Sequence, residues 1–218
     1  MLWGIGLNYR AHADDLNATI PDEPASFIKA DHTVIGPGES IVLPVQSSRV
    51  TAEAELGLII GEEARDVSED KALEHLVGVC PVLDQTAEDI LQRNPRFLTR
   101  AKNFPTFFSF GPCLVTIDEV IERVGSLANL TVATVKNGAV HRAALVEGMV
   151  FSPEWLVSFH SQMMPLFPGD VISSGTPGAV VIEPGDRAEC RIDAVGTLVN
   201  PVKGPPNRPS GRGGSVPW

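Results

Sequence analysis

Apolar and β-branched residues gather in seven short runs along the chain, at positions 41–44, 55–60, 77–83, 114–117, 130–135, 171–173 and 190–195. Runs this short, bounded by turn-forming residues, have the length of strands rather than helices. Asn137-Gly138 separates two such stretches, and an Asn-Gly pair suits the left-handed turn of a two-residue hairpin. Three segments carry helical signals instead. Ser68 can cap a helix over 69–75, and Thr86 with Asp89 three residues on has the spacing of a capping box for 87–93. Ser152, followed by Pro153 and Glu154, opens a third helix over 153–164, with Trp155, Phe159 and Met163 along one face. The pattern predicts a mixed α+β, β-rich fold with a few short helices. No G-x-G-x-x-G follows a strand, and neither a P-loop nor an internal repeat is present. Beyond residue 203 the pattern stops: 204–218 is Pro- and Gly-rich with no apolar face. The expected organisation is one domain over 1–203 and a tail over 204–218, with Trp218 as a potential anchor.

Composition narrows the class. A length of 218 residues suits one domain with a sizeable core, and 43% hydrophobic with 20% charged residues is ordinary for a globular protein. A formal net charge of -10 argues against nucleic acid or an anionic membrane as the main partner. Cys80, Cys113 and Cys190 form an odd set without metal-ligand spacing, beside apolar stretches. They read as buried, reduced thiols in a cytoplasmic protein. The start of the chain lacks a basic stretch ahead of an apolar one, and no apolar run approaches a membrane span.

The candidate chemistry lies in three acids. Glu53 and Glu55 stand two apart in a strand-like stretch and so project to one face, at the lip of the apolar segment 56–60. Asp84 leaves the end of another apolar strand. Carboxylates held together at the edge of a core repel each other and lose hydration unless a cation neutralises them. An all-oxygen set of this kind suits Mg²⁺ or Mn²⁺ better than zinc. Spacing alone leaves a second reading open, two solvated glutamates on an edge strand.

A series of motifs, in order from about Gly4 to Val202, resembles the fumarylacetoacetate hydrolase superfamily. The opening G-x-N-Y-x-x-H-x-x-E corresponds to Gly6-Leu7-Asn8-Tyr9 through His12 to Asp15. P-x-x-F-x-K corresponds to Pro24 through Phe27 to Lys29, followed by Gly36-Pro37-Gly38. The metal-binding E-x-E matches Glu53-Ala54-Glu55, and the third metal carboxylate matches Asp84. Lys102-Asn103-Phe104, Gly111-Pro112, Asn137-Gly138 and the P-G-D-x-I-x-x-G-T-P segment ending at Gly175-Thr176-Pro177 complete the series. The resemblance implies a folded β-roll of mixed sheets around a metal site, assembled as a homodimer. It implies an enzyme that uses Mg²⁺ or Mn²⁺ on a small 2-oxo acid or 1,3-dicarbonyl. The expected outcome is acylpyruvate-type C–C hydrolysis, or decarboxylation or isomerisation through an enolate. His12 and Asp15 would form a dyad that activates water, and Lys102 would neutralise developing charge. Gly175, Thr176, Asn8 and Tyr9 would line the substrate pocket.

The departures bear on specificity. Where the family carries an arginine and a glutamine after the metal aspartate, this chain has Glu88 and Leu91. On a helix Gln92 and Arg93 would point ~100° or more away from those places. Pro105 replaces a frequent aspartate and Val146 a frequent threonine. A buried Glu88 would turn away a substrate carboxylate and favour a neutral or cationic group. Two readings follow: an active enzyme with an altered substrate, or a decayed member retained as a ligand-binding or interaction protein.

Overall fold

The computed structural model describes residues 1–15 and 18–205. Among these, the strands are β1 (Leu2–Gly6), β2 (Ala25–Lys29), β3 (Val34–Ile35), β4 (Ile41–Val42), β5 (Val50–Ile60), β6 (Leu76–Ala87), β7 (Phe108–Phe110), β8 (Val115–Thr116), β9 (Thr131–Lys136), β10 (Ala139–Leu145), β11 (Val171–Ser173), β12 (Ala179–Ile182), β13 (Arg187–Ile192) and β14 (Gly196–Lys203). The helices are α1 (Arg10–Asp15), α2 (Glu88–Arg93), α3 (Leu98–Lys102), α4 (Ile117–Val124) and α5 (Pro153–Met163), with short 3₁₀ segments between. One mixed sheet runs β2-β1-β11-β5-β6-β7-β3, with β12 also on β5 and β8 also on β6. A second runs β10-β9-β13-β14-β4 and packs its centre over β5 and β6.

β5 and β6 organise the molecule. They pair antiparallel from Val50↔Ala87 onward, which sets Glu53 directly opposite Asp84. β5 is covered on both sides, so Ala52, Ala54, Leu56 and Leu58 enter the core while Glu53 and Glu55 alternate to the other face. The reading of these glutamates as solvated edge residues is thereby removed. The β9–β10 hairpin turns on Asn137 (φ 53°) and Gly138 (φ 81°), both left-handed, as the Asn-Gly signal predicts.

The helices differ from expectation in informative ways. The segment Glu69–His75 is 3₁₀ rather than α, and the Ser68 side chain makes no cap hydrogen bond. The capping box at 86–89 does not form. Thr86 is still in β6 and gives its hydroxyl to Glu53, while Asp89 accepts from Ser47 and Ser48. α2 therefore begins at Glu88 without a side-chain cap. α5 does carry its cap: the Ser152 hydroxyl accepts from Trp155 N–H at 3.1 Å. α3 and α4 lie outside the three predicted helices, and Ile117, which the pattern places at the end of a strand, begins α4. Cys80 and Cys190 are buried but Cys113 is exposed, correcting the expectation of three buried thiols. No helix among the described residues is long and apolar enough to cross a membrane. Apart from Gly204 and Pro205, the expected tail, Trp218 included, lies outside the described residues.

Candidate functional site

The β5–β6 register brings the three acids together. One oxygen each from Glu53, Glu55 and Asp84 lies within 4.8 Å of the others, and all three residues are buried. Each carboxylate is oriented by its own donors. Glu53 accepts from the Thr86 hydroxyl at 2.6 Å and the Thr51 hydroxyl at 3.3 Å. Glu55 accepts from the Ser173 hydroxyl and from Gly175 N–H at 2.9 Å. Gly175 sits at φ 94°, and a Cβ there would lie 2.8 Å from Asn8 Cβ, so only glycine lets this backbone approach Glu55. Asp84 takes Lys29, from β2, on one oxygen and Lys102, from the end of α3, on the other. Lys102 also reaches Glu53, both of its contacts being 2.7 Å, and Lys29 also donates to the Phe107 carbonyl.

Three carboxylates facing two ammonium groups leave one negative charge over when all five are ionised. Glu55 carries the imbalance. Burial, then Asp84 and Glu53, push its pKa up to about 8. Glu53 moves the other way: burial acts to raise it, but Lys102 and other donors hold it below the usual carboxylate range. The lysines also part company. Burial lowers Lys29, opposed chiefly by Asp84, whereas for Lys102 the carboxylates Asp84, Glu53 and Glu55 together outweigh burial and raise it. A buried all-oxygen trio with surplus negative charge fits a hard divalent cation, Mg²⁺ or Mn²⁺. Glu53, Glu55 and Asp84 would hold it, with Thr86, Ser173 and Gly175 fixing their orientation.

α1 sets His12 beside this floor. His12 is buried, and burial lowers its pKa against the pull of Glu53, so the ring is neutral at pH 7. Its Nδ1 and the buried Tyr9 hydroxyl have no hydrogen-bond partner among the described residues. Burial and the nearby Glu55 raise the Tyr9 pKa and keep the phenol protonated. Asp15 does not bond His12. It is exposed and accepts from Arg142 Nη2 at 2.5 Å. The Asn8 amide is fully used within the fold, donating to the Phe151 and Ser174 carbonyls and accepting from Phe151 N–H. The Thr176 hydroxyl is engaged with Gly178 at 3.2 Å. Glu88 is half-buried rather than buried, and its charge is met within the fold: Arg49 pairs with it and Gln92 donates to it. Leu91 packs against the core, and Pro105 is exposed.

Lys29, Thr86, Ser173 and Arg142 are not among the site residues that the sequence suggests. Lys29 lay within a quoted motif, and Thr86 stands two residues from Asp84 on the same face of β6, a signal hidden by reading it as a helix cap. Arg142 left no local trace, since its partner is 127 residues away.

Residues 1–203 match the family model described as fumarylacetoacetate (FAA) hydrolase C-terminal. The chain is 37% identical over 201 residues to protein MJ1656 of Methanocaldococcus jannaschii, covering 91% of this chain and 81% of that one. It is 34% identical over 207 residues to the human mitochondrial oxaloacetate tautomerase FAHD2B, covering 91% of this chain but 65%, less than two thirds, of that protein. Among solved structures, 5-carboxymethyl-2-hydroxymuconate delta-isomerase from Mycobacterium smegmatis superposes with a TM-score of 0.83 at 32% identity, over 94% of this chain and 79% of that one. A fumarylpyruvate hydrolase from Pseudomonas aeruginosa, in complex with Mn²⁺ and pyruvate, gives 0.83 at 26% identity, over 93% and 88%. Motif order, the paired acids of β5 and β6 and these likenesses converge, and the chain belongs to the fumarylacetoacetate hydrolase family.

Proposed function

We propose that this protein is a divalent-metal-dependent enzyme that acts on a small 2-oxo acid or 1,3-dicarbonyl. The observation that carries this reading is the buried trio Glu53, Glu55 and Asp84, with Lys102 and the unpartnered polar atoms of His12 and Tyr9 around it. Mg²⁺ or Mn²⁺ bound by the trio supplies Lewis-acid polarisation of a substrate carbonyl.

The side chains do the rest. Lys102, charged and fixed between Glu53 and Asp84, offers positive charge to an oxygen that gains electron density. Neutral His12 accepts or returns a proton, and its Nδ1 is free to do so. The protonated Tyr9 hydroxyl donates to a substrate oxygen. Asn8, Gly175 and Thr176 act as positioning residues, because their polar groups are already committed within the fold. Burial of His12, Lys102 and Glu53 limits water near the reacting carbons.

Keto–enol interconversion, isomerisation, decarboxylation and C–C hydrolysis of such compounds share one requirement, stabilisation of an enolate beside a carbonyl. The relatives' names span this set, with an oxaloacetate tautomerase, a muconate isomerase and a fumarylpyruvate hydrolase. The deciding experiment is ultraviolet-monitored turnover of oxaloacetate, fumarylpyruvate and a panel of acylpyruvates with Mg²⁺ or Mn²⁺, then with chelator. Chelator-sensitive change of the enol absorbance is the expected result. No turnover of any compound by protein that binds Mn²⁺ would leave the ligand-binding reading in its place.

A further inference from the structure

We propose that Arg142 is a positioning residue for this site: through Asp15 it ties the far end of α1 to the 175–178 loop and so holds His12 over the carboxylates. The role of His12 comes from the functional reading above; the tie itself stands on separate contacts.

α1 has six residues, too few to persist without anchors. Its entry is fixed from within the fold. The Asn8 amide makes three buried hydrogen bonds to Phe151 and Ser174, Val150 N–H donates to the Asn8 carbonyl at 2.8 Å, and Tyr9 forms a β-bridge with Met149. The exit is held by the ion pair between Asp15 Oδ2 and Arg142 Nη2. Between these anchors only His12 and Ala13 are buried, so the helix is seated at its middle and held at its ends.

Arg142 is placed for this task by its strand. The β9–β10 register shifts between Val140 and Arg142, a bulge that re-aims the side chain. Ala139, Val140, His141 and Ala143 are exposed, whereas Arg142 is half-buried. Its stem lies on Gly178: a Cβ there would fall 2.9 Å from Arg142 Cβ and Cγ. Opposite Arg142 on β9, the Thr134 hydroxyl donates to the Gly178 carbonyl at 2.7 Å. The guanidinium thus leans on the loop whose Gly175 N–H orients Glu55, and reaches across to the helix that bears His12. The family resemblance gives Asp15 to His12 as an orienting partner. In the structure its carboxylate pairs with Arg142 while still favouring the charged form of the His12 ring.

Hydrogen exchange at the amides of 10–15, measured with Mn²⁺-saturated turnover, tests the assignment in Arg142→Gln, Asp15→Asn and the charge swap Asp15→Arg/Arg142→Asp. An exposed ion pair of this kind changes a local opening equilibrium by up to about fivefold. Each single variant should speed exchange of the His12 and Ala13 amides by up to that factor, leave β5 and β6 unchanged, and lower kcat more than it raises KM. The charge swap should restore both protection and kcat. Unchanged exchange in Arg142→Gln would overturn the proposal. So would a charge swap that recovers protection but stays as slow as Asp15→Asn, which would return Asp15 to His12. A selective rise in KM with Arg142→Gln would also overturn it, by making Arg142 a substrate contact. Wild-type protein without turnover would count against the functional reading alone, and the exchange data would still decide the tie.

Discussion

The floor of the site and the helix beside it are built on opposite terms. β5 and β6 run eleven and twelve residues, are paired along most of that length and are buried on both faces. Each acid on them is oriented by donors from separate elements, Lys29 from β2, Lys102 from α3 and Gly175 from a loop. α1 has six residues and depends on anchors at its two ends. The acids proposed as metal ligands, whose mutual spacing must not change, sit on central strands. His12, proposed to handle protons, sits on an element whose opening can be separated from global unfolding. If that division is right, substitutions in the floor should be read out in stability and substitutions in α1 in rate.

Lys29→Met should be the most destabilising change. It removes one partner of a fully buried ion pair and leaves Asp84 with Lys102 alone. Breaking such a pair costs about 3–5 kcal/mol, measurable by urea denaturation in chelator. A cost below about 1 kcal/mol would mean that the floor is not held as tightly as its contacts suggest. Thr86→Val should come next. It deletes a hydroxyl that donates to buried Glu53, worth about 1.5–3 kcal/mol for a bond to a charged group. It should also weaken Mn²⁺ binding by calorimetry, because Glu53 loses an orienting donor.

Glu55→Gln should act with the opposite sign at high pH. In chelator the folded protein keeps a proton on Glu55 up to about pH 8, whereas the unfolded chain releases it near the ordinary value of 4.5. Between those values the folded state binds more protons, so stability falls as pH rises. The contribution is present in full below pH 4.5 and is lost as pH passes about 8. The melting temperature should therefore decline from pH 5 to 9 in wild-type protein, and Glu55→Gln should flatten the decline. The glutamine carbonyl can still accept from Ser173 and Gly175, so the fold persists while Mn²⁺ no longer raises the melting temperature. A decline that Glu55→Gln leaves intact would place the charge imbalance elsewhere.

The floor was the more legible region. A two-residue spacing of acids beside a buried run places Glu53 and Glu55 on one face of a strand, and the same periodicity would have added Thr86 to Asp84. The motif series supplied His12 and Lys102. What sequence could not supply depends on distant pairing. Asp15 meets Arg142 only because the β9–β10 hairpin is bulged, and Glu88 meets Arg49 rather than a ligand pocket. The face predicted for α5 forms, but it is not the one that is most buried. On α5 the aromatic face stacks Trp155 on Phe159 at 4.8 Å yet stays part-exposed, with Met163 exposed. The buried face joins Leu156 and Val157 of the core to Ser158, His160 and Ser161, which bond Val67, Ser26 and the helix itself. Polar residues that are satisfied across elements do not announce themselves as core.

His12→Gln should have the smallest effect on stability and the largest on rate. The histidine's Nδ1 has no protein partner, so the substitution breaks no bond at that atom, and glutamine keeps a polar group of similar reach. A stability change of no more than about 1 kcal/mol is expected, as for a substitution that removes no named interaction. Turnover should fall about a hundredfold or more, the usual contribution of a positioned general acid or base. At saturating Mn²⁺, which keeps the proton off Glu55, the acid limb of kcat that remains should be lost with the histidine: burial lowers the ring's pKa from its ordinary value, and acid removes activity there by protonating the imidazole. A loss of stability as large as that of Thr86→Val would make His12 part of the floor. Unchanged turnover with a retained acid limb would assign the proton to another group, and the protonated Tyr9 hydroxyl is the nearest in character, since Glu55 acts on it directly.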